Sequence, residues 1–140
     1  MTSRGRILLY MLLVILGIFL VSIVLMYTRE DPQQIHRRNS TIRVEILNGC
    51  GEPRLAIKVA NVLRRQSFNV VKIDNAGRSD FKETVVIERS SETGENAAYF
   101  AKRIRCKNIG KDIDSALHLD VSLILGMDYL EYFPDVEQEL

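Results

Sequence analysis

Residues 42–54 read IRVEILNGCGEPR, and this stretch decides how the folded part of the chain begins. Apolar and charged side chains alternate from Ile42 to Leu47, which is the period of a half-buried strand. The next residues, Asn48 to Gly51, supply turn chemistry, and Pro53 suits the first turn of a helix. The stretch therefore predicts a strand, a tight loop and a helix in immediate succession.

The same two periods recur along the rest of the chain. Apolar residues at i, i+3, i+4 and i+7 predict helices at 54–65 and 97–104, and alternating or β-branched runs predict strands at 68–74, 84–88 and 121–125. The order β-α-β-β-α-β favours a two-layer α/β (α+β) sandwich with a ferredoxin-like, mostly antiparallel sheet.

An unbroken apolar run of 20 residues, Ile7 to Met26, precedes this domain. As a helix it spans roughly 30 Å, the thickness of the hydrocarbon core of a bilayer, so it predicts one transmembrane helix. A cleaved signal peptide is the alternative, but the run is longer than the usual ~7–15 apolar residues and no small-x-small site follows it. Arginines flank the run on both sides, so charge does not orient it.

Bulk charge argues against one class of partner. After Thr41 the chain carries 14 basic and 16 acidic residues, a net charge of −2. Nucleic-acid-binding domains usually carry a basic excess, so we expect no nucleic acid as a partner.

The loop at 48–54 joins a strand to a helix, a position where backbone N–H groups can hold an anion. Its G-x-G lacks the third glycine of the dinucleotide fingerprint, although Asp74 follows at a suggestive spacing. A tight turn anchored by an asparagine side chain is the alternative reading of the loop. The candidate ligand-binding residues are Asn48, Gly49, Gly51 and Arg54.

Other chemistry-bearing residues are few. Cys50 and Cys106 fit no metal-ligand spacing, and the predicted topology puts both at one edge of the sheet, which leaves open either a disulfide or two free thiols. His36 and His118 lie in no recognisable catalytic motif. We therefore predict no catalytic residue, no metal and no cofactor.

Three short motifs in order resemble a known family. The string Val44 to Gly51 with Leu55-Ala56 is similar to the opening V-x-V-x-N-G-x-G…L-A of the LytR C-terminal domain family. Asn75-Ala76 and the strand at 84–86 resemble its middle, and Leu125 to Tyr129 resembles its closing L-G-x-D-Y. Two positions depart from the pattern: Cys50 stands where a small hydroxyl residue is common, and Arg54 where glycine is frequent.

The resemblance implies an extracytoplasmic domain, because the family occurs on membrane-anchored bacterial envelope proteins, often behind a LytR-CpsA-Psr catalytic domain. The resulting organisation is a cytoplasmic N-terminus at 1–6, a transmembrane helix at 7–26, a juxtamembrane linker at 27–41, a LytR C-terminal-like domain at 42–129 and an acidic tail at 130–140.

The sequence thus favours a non-catalytic binding module held in the cytoplasmic (inner) membrane. The expected partner is an envelope protein or an anionic or glycan polymer of cell-wall assembly. Two alternatives stay open: an enzyme of glycan or phosphate-ester transfer that uses the 48–54 loop, and a cytoplasm-facing scaffold.

Overall fold

The computed structural model describes residues 3–138 and separates into two compact units, one that ends at Gln34 and one that begins at Ile35. In the first unit, α1 runs from Ser3 to Thr28 and buries none of its residues within the protein. Its length and hydropathy are those of a membrane-crossing helix, a test that signal sequences also meet. Its bounds include the predicted run of 7–26.

The second unit is an α/β domain that begins within the short helix α2, Pro32–Thr41. The remaining elements, in chain order, are β1 Arg43–Asn48, α3 Leu55–Arg65, β2 Asn69–Asn75, β3 Val85–Glu88, α4 Glu95–Ile104, β4 Ile109–Lys111, β5 Val121–Leu125 and α5 Tyr129–Tyr132, with single 3₁₀ turns at Ser115–Leu117 and Pro134–Gln138. The sequence predicted that the domain begins at residue 42, whereas the compact unit begins earlier, at Ile35.

The fold class is confirmed: helices and one mixed sheet, behind one long apolar helix. Among residues 3–138 the sheet has five strands in the order β2-β1-β5-β3-β4. β1 pairs in parallel with both β2 and β5, β3 pairs in parallel with β4, and β3 with β5 is the antiparallel pair.

This order differs from a ferredoxin-like sheet, and the expectation of mostly antiparallel strands is wrong. A ferredoxin-like sheet splits each βαβ unit with an intervening strand. Here α3 and α4 each return the chain to the adjacent strand, and β5 then enters between the two units. Side-chain alternation shows which face of a strand is buried but not the direction of its neighbours. The three-residue β4 is too short to show a period at all.

The core lies between the helices and one face of the sheet. The helical periods place Val59 and Leu63 of α3, and Phe100 of α4, against Val44 and Leu123 of the central strands, all fully buried. Phe68 meets Phe100 edge to face, with ring centroids 4.9 Å apart. Apolar burial of this kind supplies about 25 cal/mol per Å² and is the main force that holds the layers together.

The C-terminal segment is part of this core. Phe133 and Val136 are 3% and 1% exposed and pack in the same cluster. The tail predicted at 130–140 is thus anchored at least to Val136 by apolar contacts, although it carries four acidic residues.

Polar side chains cross the opposite face of the sheet. Glu45 is 4% exposed, and its carboxylate pairs with Lys72 Nζ at 2.7 Å and accepts a hydrogen bond from Ser122 Oγ at 2.7 Å. Arg89 Nε donates to the same Ser122 oxygen at 2.9 Å. The row links β2, β1 and β5 with the residue that follows β3, and a shift in register would break it, because each buried polar group would lose its partner.

The closing motif forms a tight corner at the end of β5. A Cβ atom on Gly126 would lie 2.3 Å from the backbone carbon of Glu83. Asp128 Oδ1 accepts from the Thr84 amide at 2.6 Å and from its hydroxyl at 2.7 Å, while that hydroxyl accepts from the Gly126 amide at 3.1 Å. Gly126 allows close contact with the backbone of Glu83, and Asp128 fixes Thr84, the residue that precedes β3.

We expect Gly126→Ala to lower the free energy of unfolding by about 3 kcal/mol, because the backbone of Glu83 must move to admit the methyl group. Gly77→Ala is the matched control, since a Cβ there meets nothing within 4 Å. Urea unfolding of the full chain in detergent, followed by tyrosine fluorescence, measures both. Equal midpoints for the two variants would contradict the packing assigned to Gly126.

An ion pair fixes the start of β1. The Asp120 carboxylate accepts from Arg43 Nε and Nη2, both at 3.0 Å, and from the Arg43 amide at 2.8 Å. These bonds, the guanidinium first among them, hold the pKa of Asp120 below its usual value. An unfolded aspartate titrates near ~3.9, so the stabilisation is present above that pH and is lost as pH falls through the lower folded pKa.

Asp120→Asn should therefore lower the free energy of unfolding by about 1 kcal/mol at neutral pH, a value reduced by the partial exposure of Arg43. The difference from the unmodified chain should shrink below about pH 4. Asp80→Asn is the control, because its pair with Arg78 is 68% and 73% exposed. A pH-independent difference between Asp120→Asn and the unmodified chain would refute the ion-pair assignment.

Candidate functional site

A cleft of about 310 Å³ opens where β1 and β2 end and α3 begins. It is lined by Asn48, Arg54, Leu55, Ala56, Ile57, Ile73, Asp74 and Asn75. Four of the lining side chains are apolar, and the others are one cation, one carboxylate and two amides. Clefts outside the carboxyl ends of parallel strands are a common place for ligands in α/β proteins.

Asn48 shapes the cleft from within the protein. Its Nδ2 donates to the Glu52 carbonyl at 2.7 Å, and its Oδ1 accepts from the amides of Gly51 at 3.1 Å and Cys50 at 3.4 Å. The side chain is 7% exposed. Asn48 therefore holds the turn through its own amide group, as the alternative reading of the loop predicted.

Gly49 joins the loop by hydrogen bonds to the end of β5, which neighbours β1 in the sheet. Its amide donates to the Leu125 carbonyl and its carbonyl accepts from the Phe81 amide, both at 2.9 Å. A Cβ on Gly49 would lie 2.8 Å from the Leu125 oxygen. The amides at 49, 50 and 51 thus all have acceptors in the protein, so the loop does not present them as a cradle for an anion. Of the predicted residues, Asn48 and Arg54 line the cleft, and the two glycines set the turn beside it.

Arg54 holds a costly backbone conformation. With φ 60° and ψ 9° it is left-handed, and its carbonyl accepts the first helical bond of α3 from the Lys58 amide at 3.1 Å. This conformation costs a non-glycine residue roughly 1–2 kcal/mol. It explains why glycine is frequent here in the family that the sequence resembles. Such strain is often kept where a side chain has a function.

Sequence reasoning missed part of the cleft. Ile73 and Asn75 join it because β1 and β2 pair in parallel and end side by side, with Asn48 opposite Asn75, and Ile57 joins it from α3. Asp74 was noted for its spacing alone. Recognising an adjacent βαβ unit would have placed the ends of both strands at one edge.

The two cysteines are free thiols in the structure. Cys50 is half-buried, and its sulfur lies 3.7 Å from Asn48 Oδ1. Cys106 is buried beside the Thr84 carbonyl at 3.5 Å, and burial raises the pKa of its thiol. The disulfide left open by the sequence is therefore not formed here.

Metal binding finds no support in the geometry. Within residues 3–138, no three His, Cys, Asp or Glu side chains lie close enough together to hold a metal ion.

Comparison with known proteins identifies the folded unit. The family described as LytR cell envelope-related transcriptional attenuator matches residues 41–129. No curated protein matches the chain. A solved structure, the soluble domain of a conserved hypothetical secreted protein from Mycobacterium marinum, is similar at 18% identity, with 71% of each chain covered and a TM-score of 0.49. The family match confirms the resemblance predicted from the three motifs and spans more than half of the chain. The protein therefore belongs to the LytR C-terminal domain family.

Proposed function

We propose that this protein is a membrane-anchored, extracytoplasmic binding module of the bacterial cell envelope, and that the cleft at the ends of β1 and β2 takes a segment of an anionic or glycan envelope polymer. The observation that carries the proposal is Arg54, a strained and exposed cation on the rim of that cleft. Membership of an envelope-related family and the apolar helix α1 support the location.

The residues around the cleft favour binding over catalysis. Its lining contains no hydroxyl, thiol or imidazole side chain, and Asp74 is its only carboxylate. Glycosyl transfer or hydrolysis generally needs a pair of carboxylates, and covalent catalysis needs an activated nucleophile. The enzyme reading of the 48–54 loop therefore lacks reacting groups among the lining residues.

The chemistry of the rim suits a polymer of sugars or sugar phosphates. The Arg54 guanidinium can pair with a phosphate or carboxylate, and the carboxylate of Asp74 and the amide of Asn75 can bind hydroxyl groups. Ile57, 46% exposed, and Ile73 provide apolar lining on which the face of a sugar ring can pack. The volume is at the lower end of known ligand sites, ~300–1,000 Å³, which fits a short segment of a chain.

Topology is the first test. We expect a C-terminal alkaline phosphatase fusion to the full chain to be active and a β-galactosidase fusion at the same residue to be inactive, because only the former folds outside the cytoplasm. A variant without residues 3–28 should reverse the pattern. Activity of the β-galactosidase fusion alone on the full chain would support the cytoplasm-facing scaffold instead.

The second test separates the function of Arg54 from its structural cost. Arg54→Gly should raise the free energy of unfolding by about 1 kcal/mol by relieving the left-handed strain, yet reduce retention of the full chain on isolated envelope polymer. Arg105→Gly is the matched control, because Arg105 has φ 61°, is exposed and lies outside the cleft. It should gain similar stability and keep its retention.

Unchanged retention of Arg54→Gly, in a protein that is otherwise folded, would contradict the assignment of the cleft. Equal losses in both glycine variants would show that bulk positive charge, rather than the cleft, holds the polymer.

A further inference from the structure

Helix α2 is fixed to the domain. Asn39 is 2% exposed, its Nδ2 donates to the Gln66 carbonyl at 2.7 Å, and its Oδ1 accepts from the Tyr99 hydroxyl at 2.8 Å. His36 Nδ1 and Ser67 Oγ share a hydrogen bond of 2.6 Å. Residues 35–41 are therefore held against the end of α3 and the side of α4, where the sequence predicted a linker.

This docking gathers cations at one end of the domain. Gln66 and Ser67, which contact α2, directly follow Arg64 and Arg65, and α2 itself carries Arg37 and Arg38. All four arginines are exposed, and neither α2 nor α3 contains an acidic residue. The guanidinium of Arg38 lies 4.0 Å from the centre of the Tyr99 ring, which orients it. We call Arg37, Arg38 and Arg64 the basic patch.

Three carboxylates near the same end of the sheet are paired with other cations, whereas Glu95 in the first turn of α4 is exposed. Asp120 pairs with Arg43 at 3.0 Å and Glu92 with Lys111 at 3.2 Å, and Asp112 pairs with Arg89. These three acids therefore do little to offset the basic patch, although the domain as a whole is close to neutral.

We propose that the basic patch binds anionic phospholipid headgroups of the membrane that holds α1, an inference that rests on the proposed anchoring. Seven residues separate Thr28, the end of α1, from His36. Even fully extended, such a segment spans only about 25 Å, so the patch is tied close to the bilayer surface. Exposed cations near anionic lipid gain about 1 kcal/mol each, an attraction that falls off within ~8 Å at physiological salt.

The arrangement leaves the cleft open. Asn48 lies at the carboxyl end of β1, whereas α2 precedes its amino end. Six residues of strand separate the two by about 20 Å. Lipid contact at the patch would therefore not compete with a polymer in the cleft.

The test uses the full chain reconstituted in vesicles of phosphatidylcholine alone, or of equal parts phosphatidylcholine and phosphatidylglycerol. Amide hydrogen exchange of residues 32–41, measured by mass spectrometry, should be about fivefold slower in the anionic vesicles for each arginine engaged. High salt should abolish the difference. The double variant Arg37→Gln/Arg64→Gln should reduce the difference about 25-fold, fivefold for each arginine removed, while Arg105→Gln/Lys107→Gln, which removes the same charge elsewhere, should keep it.

Three results would overturn the proposal. One is equal exchange in the two vesicles, and another is loss of the effect in the control double variant. The third is the same slowing produced by soluble polyphosphate added to neutral vesicles, which would assign the patch to a soluble polyanion. Failure of the full chain to float with neutral vesicles is a separate outcome, because it would refute the anchor and hence the proposed function itself.

Discussion

The structure depends on the close approach of backbones at the end of β1. The Gly49 amide bonds to the Leu125 carbonyl, and the Asn48 carbonyl accepts from the Ala76 amide, each at 2.9 Å. No side chain fits between Gly49 and Leu125. This contact keeps β1 between β2 and β5 and sets where the chain leaves the sheet for α3. The cleft opens beside this contact, where β1 and β2 end and α3 begins.

Buried polar groups decide which of several similar sheets forms. Glu88 at the end of β3 is fully buried, and its carboxylate accepts from the Ala97 amide at 2.7 Å and the Ser91 amide at 3.0 Å, so it caps the first turn of α4. On the opposite face of the sheet, the buried hydrogen bond between Ser122 and Glu45 fixes the pairing of β1 and β5. In the part of the chain that the structure describes, no buried side-chain nitrogen or oxygen lacks a hydrogen-bond partner. Apolar burial drives collapse without direction, whereas each of these groups is satisfied in only one register.

The sequence predicted local structure well and long-range pairing poorly. The periods of α3, α4, β1 and β5 follow from burial of one face, which neighbouring residues report directly. Strand order does not, because β5 enters between β1 and β3 through contacts far apart in sequence. Helix α2 is mostly polar and is held by Asn39, so its sequence has no hydrophobic stripe from which a helix could be predicted. Of the residues that line the cleft, Asn48 and Arg54 were predicted because they lie in the loop that follows β1. Asn75 could be predicted only from the parallel pairing of β1 and β2.

The two ends of β1 lie near different arrangements of charge. At the amino end, cations collect on α2 and α3 where no acid of those helices offsets them, a cost in self-repulsion that a negatively charged surface would repay. At the carboxyl end a single arginine is held in a strained conformation beside the apolar residues that line the cleft. Strain at one exposed residue contributes nothing to packing, and glycine would remove it. An arginine at this position is explained if its guanidinium binds a ligand at the cleft. Replacing Arg54 by glycine should therefore increase stability and weaken binding.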